Sequence, residues 1–160
     1  MGLGSRDVSY LKLGNLHGNR AIPLQRTLGY ALIKILIVNN QAVVRDRVKR
    51  IFDKELGEAV FGEAGTAQEA FKLVREEGWN AVVLDISLDV RNGLEVLKEL
   101  KQICPKLPVL ILSMHPEKQY ASRAFKAGAA GYITKDSSLK ELVEIINRVS
   151  LYGCEQKPAR

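Results

Sequence analysis

Cysteine is scarce in this sequence: Cys104 and Cys154 are the only two in 160 residues, and histidine is as rare. Neither cysteine has the short Cys and His spacings that hold zinc, so a structural metal cluster is not expected. The thiols are expected to be reduced, as in a cytosolic protein. No run approaches the roughly 18 apolar residues of a membrane span. The opening residues lack the basic start, apolar core and small-residue cleavage site of a secretory signal. A G-x-G-x-x-G or P-loop stretch is missing too, which argues against a dinucleotide or nucleoside triphosphate site. A length of 160 residues suits one domain.

The formal net charge is +6, yet it makes no basic groove. Arg6, Lys12, Arg20 and Arg26 stand against Asp7 alone in the first 33 residues, which carry no sustained period. Further on, lysines and glutamates alternate, as in "KLVREE" and "LKELKQ", the pattern of a solvated helix face. Direct nucleic-acid binding by this chain is not expected.

From Lys34 onward apolar runs alternate with amphipathic segments. "KILIV" reads as a strand, followed by a helix with Val44, Val48, Ile51 and Phe52 on one face. "AVFGEA" is a second strand, and Thr66 can cap a helix burying Ala67, Ala70, Phe71 and Val74 and ending near Gly78. "AVVLD" precedes a helix with Leu94, Leu97 and Leu100 inward. "PVLILS" precedes a helix from about Glu117 to Lys126, and "GYIT" precedes a last helix from about Ser138 with Leu139, Leu142, Val143 and Ile146. This alternation predicts an α/β fold in which a parallel sheet is doubly wound, with helices on both faces.

In such a sheet the cleft lies at the carboxyl ends of the strands. Those ends carry Asn39 and Asn40, Asp85, Ser113 and Lys135. An aspartate there can take up a phosphoryl group, a hydroxyl can hydrogen-bond it, and an ammonium can balance its charge. Each residue alone could equally cap the next helix. His115 reads as a loop residue.

The blocks "KILIVNNQAVVRDRVKRIF", "GEAGTAQEA", "VVLDISLDVRNGLEVLKEL", "PVLILSMH" and "RAFKAGAAGYITKDSSLKELVEII" occur in order. Over residues 34–153 the chain resembles the receiver domain of bacterial two-component response regulators, closest to receivers that precede a LuxR-type helix-turn-helix. Residues 1–33 are then an unassigned extension and 154–160 a tail. The resemblance implies a flavodoxin-like five-stranded sheet in the order 2-1-3-4-5. It implies Asp85 as phosphoacceptor, Ser113 as switch hydroxyl, Lys135 as phosphate-binding lysine and Tyr132 as aromatic switch; Tyr132 could also be a simple edge aromatic. It implies a histidine kinase or other signalling protein as partner, a weak homodimer, no membrane and a cytoplasmic location. An enzyme is not expected.

Two departures stand out. Receivers of the usual kind end the first strand in an acidic pair that holds Mg2+ with the phosphoacceptor and a loop carbonyl, here that of Ser87. This chain has Asn39 and Asn40 instead. Magnesium favours carboxylate and water oxygens, so the site is expected to bind it weakly or not at all, and phosphorylation of Asp85 to be impaired. With fewer carboxylates around it, Asp85 should also be stable without metal. Asp89 replaces a usual proline and is expected to be a solvated carboxylate. After "LYGCEQKPAR" no residues remain for the helix-turn-helix, so a stand-alone receiver, an excised domain or a truncated product is expected.

The leading reading is a receiver module whose output is a protein contact. The alternatives are a DNA-binding regulator lacking its output domain here, and a flavodoxin-like enzyme or ligand-binding domain. For an aspartate-based phosphatase, "LDIS" lacks the second aspartate two positions on.

Overall fold

The computed structural model describes residues 33–56, 59–88, 92–113, 118–134 and 140–149. Ten elements alternate in chain order: β1 (Ile33–Val38), α1 (Ala42–Leu56), β2 (Ala59–Ala64), α2 (Ala67–Glu76), β3 (Ala81–Asp85), α3 (Gly93–Ile103), β4 (Val109–Ser113), α4 (Lys118–Lys126), β5 (Gly131–Thr134) and α5 (Lys140–Val149). All strand pairs are parallel and the sheet order is β2-β1-β3-β4-β5. This is the flavodoxin-like arrangement. The strand order reverses between β1 and β3, which makes their carboxyl ends the switch point where such sheets place their sites.

The apolar runs of β1, β3 and β4 are buried because helices cover both faces. Alternation divides their side chains between two cores. Leu36, Val38, Val82, Leu84, Val109 and Ile111 pack with α2, α3 and Ala124 of α4. Ile35, Ile37, Val83, Leu110 and Leu112 pack with α1 and α5 through Val48, Phe52, Leu142 and Ile146. The helical stripes predicted for α2 and α3 are all buried. In α1, Val48 and Phe52 are buried while Val44 and Ile51 are half-buried at the margin.

Local chemistry sets the ends. Thr66 Oγ1 accepts the Glu69 N–H at 3.2 Å, and Glu69 reaches back to the Gly65 N–H at 2.8 Å, a reciprocal capping box. Asn92 caps α3 through the Leu94 N–H at 2.9 Å.

The thiol expectation needs correction. Cys104, at the end of α3, is disulfide-bonded rather than reduced. The other cysteine of the chain, Cys154, lies outside the described residues. Spacing along a sequence tests for metal ligands; it does not test for a disulfide.

Candidate functional site

Asp85 ends β3, and the register of β1 with β3 runs up to Val38 opposite Leu84. One step further, Asn39 and Asp85 stand side by side across the switch point. Both are nearly sealed, at 2% and 4% exposure. Asn39 Nδ2 donates to Asp85 Oδ2 at 2.9 Å. The other carboxylate oxygen, Oδ1, accepts the Ser87 N–H at 2.9 Å. Two fixed donors thus meet the two oxygens of a buried carboxyl group, which would otherwise be costly to bury.

The orientation of the Asn39 amide follows from its neighbour. A main-chain N–H can only donate, and that of Gln41 points at Asn39 Oδ1 from 2.8 Å. Oδ1 is therefore fixed as the acceptor side, and the NH2 side must face Asp85. Asn39 is pinned further by its own N–H, which donates to the Ala64 carbonyl of β2 at 3.0 Å.

The pair of amides that ends the first strand is divided by the fold: Asn39 is buried against Asp85, whereas Asn40 is exposed. Ser113 is fully buried at the end of β4, one residue past Leu112, the partner of Asp85, and opposite Thr134 of β5. Tyr132, two residues earlier on β5, is half-buried and packs with Tyr120 against the α2–α4 core. Ser87 is exposed at the start of the loop. Lys135, Asp89 and His115 lie outside the described residues.

Gly93 was not singled out from the sequence, yet it shapes this loop. Its N–H donates to the Ile86 carbonyl at 2.9 Å, and a Cβ at this position would lie 2.4 Å from Ile86 Cα. Only glycine lets α3 start this close to the residue after Asp85. Arg45 was missed as well: its Nη1 donates to the Asn39 carbonyl at 2.6 Å and its Nε to Glu63 Oε1 at 2.8 Å. Contact with Lys49 and Arg45 holds the Glu63 carboxyl below its usual value, and Glu63 with Asp46 raises Lys49. A lone arginine in a basic helix gives no local signal of this reach.

A flavodoxin-like sheet with a buried aspartate at its switch point, and a buried hydroxyl one strand over, defines a class of polar strand-end sites. The chain belongs to the response regulator receiver domain family, which it matches over residues 35–147. It carries a receiver domain of the kind found in two-component response regulators. It is 32% identical over 118 residues to the response regulator GacA of Pseudomonas aeruginosa, covering 74% of this chain and 55% of that one. It is 35% identical over 116 residues to BvgA, a putative positive transcription regulator of virulence factors in Bordetella pertussis, covering 72% and 55%. The chain thus spans about half the length of these curated relatives. Its structure is similar to that of a LuxR-family two-component response regulator from Aurantimonas, with a TM-score of 0.70 and 34% identity, covering 80% of this chain and 91% of that one.

Receiver domains use Mg2+ in phosphorylation. Here Asp85 already accepts a hydrogen bond at each oxygen, Asn39 presents N–H rather than oxygen to it, and Asn40 is neutral. Among the described residues no three His, Cys, Asp or Glu converge on a metal-binding position. This donor set does not fit a tightly held hard dication. No described helix is long and apolar enough to cross a membrane.

Proposed function

We propose that this chain is a receiver module of phosphorelay signalling in which Asp85 is the phosphoacceptor, with impaired magnesium-dependent phosphorylation and with output through protein contact. The observation that carries the reading is the Asn39 amide, oriented by the Gln41 N–H and donating to Asp85 Oδ2. In the transfer, an Asp85 oxygen attacks the phosphorus of a phosphohistidine; the P–N bond breaks as the P–O bond forms, and the imidazole leaves with its electron pair. That attack requires Asp85 to release a hydrogen-bonded oxygen, and the protein supplies no second carboxylate from Asn39 or Asn40 to hold a metal against the phosphoryl group. The amide therefore slows the reaction twice.

Ser113, buried one residue past the partner of Asp85, is assigned as the hydroxyl that answers the phosphoryl oxygens, a role its burial supports. Lys135 is assigned as their cation, and Tyr132 as the ring that repacks when Ser113 moves. The proposed partner is a cytoplasmic histidine kinase or another signalling protein, and a weak homodimer is part of the reading. The receiver unit is placed at residues 34–153, flanked by an extension and a tail. The DNA-binding alternative belongs to an output domain, and a gel shift with steep salt dependence from this chain alone would favour it instead.

The test is intact mass after incubation with acetyl phosphate, with and without magnesium chloride, on the chain and on an Asn39→Asp, Asn40→Asp double variant. Asp85→Ala versions serve as controls. The expected result is strong labelling of the double variant alone, lost with Asp85→Ala. Equal labelling of both chains would refute the impairment, and labelling of neither would refute Asp85 as phosphoacceptor.

A further inference from the structure

The Asn39 carbonyl lies just past the last β1–β3 pair, Val38 with Leu84. A main-chain acceptor at a strand end needs a partner, and this one is met by a side chain from one turn into the next helix. Arg45 Nη1 donates to it at 2.6 Å. The guanidinium is anchored from the far side as well: its Nε donates to Glu63 Oε1 at 2.8 Å, and Glu63 Oε2 accepts from Lys49 Nζ at 2.8 Å. Lys49 also lies 3.1 Å from Asp46 Oδ1. With 18% of its side chain exposed, Arg45 is largely packed away between β2 and the turn.

We propose that Arg45 is a positioning residue for Asp85, acting through Asn39, and that Glu63 sets the position of Arg45. The carbonyl of Asn39 belongs to the Asn39–Asn40 peptide plane, and the next peptide carries the Gln41 N–H that orients the Asn39 amide. A charge-assisted hydrogen bond on that carbonyl fixes the plane. With the plane fixed, the turn closed by Asn39 Oδ1 and the Gln41 N–H stays closed, and Nδ2 stays aimed at Asp85. The chain of contacts runs from a solvent-facing ion pair on β2 to a sealed carboxylate at the switch point. Its functional consequence rests on the reading of Asp85 as phosphoacceptor; its geometric content does not.

A different role for the same residues would be a plain fastener of α1 to β2. The two are separated by looking at the Asn39 side chain itself. The experiment records the carboxamide 1H–15N resonances of Asn39, assigned by their loss in Asn39→Ser, and their exchange with solvent. The variants are Arg45→Met, Arg45→Lys and Glu63→Gln. The Trp79 indole N–H, bonded to the Leu73 carbonyl at 2.9 Å on the other face, reports on the fold at large. Losing a charge-assisted contact should speed carboxamide exchange by about tenfold in Arg45→Met. Glu63→Gln should give a smaller change and Arg45→Lys a partial rescue, all with the Trp79 signal in place.

Unchanged Asn39 resonances and exchange in Arg45→Met would overturn the proposal and leave a fastener. Should Arg45→Met not fold, the Glu63→Gln and Arg45→Lys pair decides: unaltered Asn39 signals in both overturn it equally. Failure of acetyl phosphate to label any variant would strike the phosphoacceptor reading and leave this result intact, so the two failures are distinct.

Discussion

Replacing Asn39 by aspartate puts a second carboxylate where an amide N–H now sits 2.9 Å from Asp85 Oδ2, at a position only 2% exposed. The variant loses a hydrogen bond to a charged group, a change of about 1.5–3 kcal/mol. It also gains a like charge at about 3 Å, whose repulsion at an effective dielectric near 20 has an upper bound of about 6 kcal/mol. The pair relieves most of that by sharing a proton, so a net destabilisation of about 3 kcal/mol is expected. For a domain of this size that is a fall in Tm of about 10 °C or more. A divalent cation should reverse the loss, restoring about 2.7 kcal/mol at a concentration 100 times its dissociation constant. Urea unfolding with magnesium chloride or with a chelator, on both chains, reads all of this. Native-like stability of Asn39→Asp in chelator would refute the reasoning, as would an equal gain from magnesium in the parent chain.

Gly93→Ala would drive a methyl into the Ile86 backbone, where a Cβ has only 2.4 Å. Because the clash is with main chain, a loss of about 2–3 kcal/mol in urea unfolding is expected, with altered resonances for Ser87 and Asp85. Glu63 is held below its usual value by Lys49 and Arg45, so its contribution is present at neutral pH and lost as pH falls through the folded value. Lys49 is raised, so its contribution is lost only as pH rises through its own folded value. Since both are partly exposed and screened, the difference in unfolding free energy between the parent and Glu63→Gln should be about 0.5 kcal/mol at pH 7 and vanish in acid. A difference that persists in acid would show that the effect is not ionic.

What the sequence made legible was whatever repeats locally. The unbroken apolar runs of β1, β3 and β4 announced strands covered on both sides. The stripe Ala67, Ala70, Phe71 and Val74 with Thr66 ahead of it announced α2 together with its cap. The acid at the end of β3 and the hydroxyl at the end of β4 could be placed at one edge from topology alone. The difference between Asn39 and Asn40 could not, because two adjacent identical residues differ only in which faces the next strand. Arg45 and Gly93 act through main-chain atoms of residues far away in the turn or loop, and a side-chain pattern does not encode main-chain partners. The Cys104 disulfide was illegible too, because the spacing of cysteines along the chain does not encode their bonding.

The exchange of carboxylate for amide at Asn39 changes what the site needs in order to rest. A buried carboxylate must find donors or a cation, and leaving it without either costs several kcal/mol. Asp85 finds an N–H at each oxygen, one from the Asn39 side chain and one from the Ser87 main chain. These two contacts support the proposed reading in which Asp85 rests without a bound metal. In that reading, phosphorylation breaks the Asn39 contact without a metal to compensate, which would favour the resting form. Tyr132 and Tyr120 pack against the α2–α4 core, and the same proposed reading makes this the arrangement that a partner at the α4–β5 face would meet in the resting form.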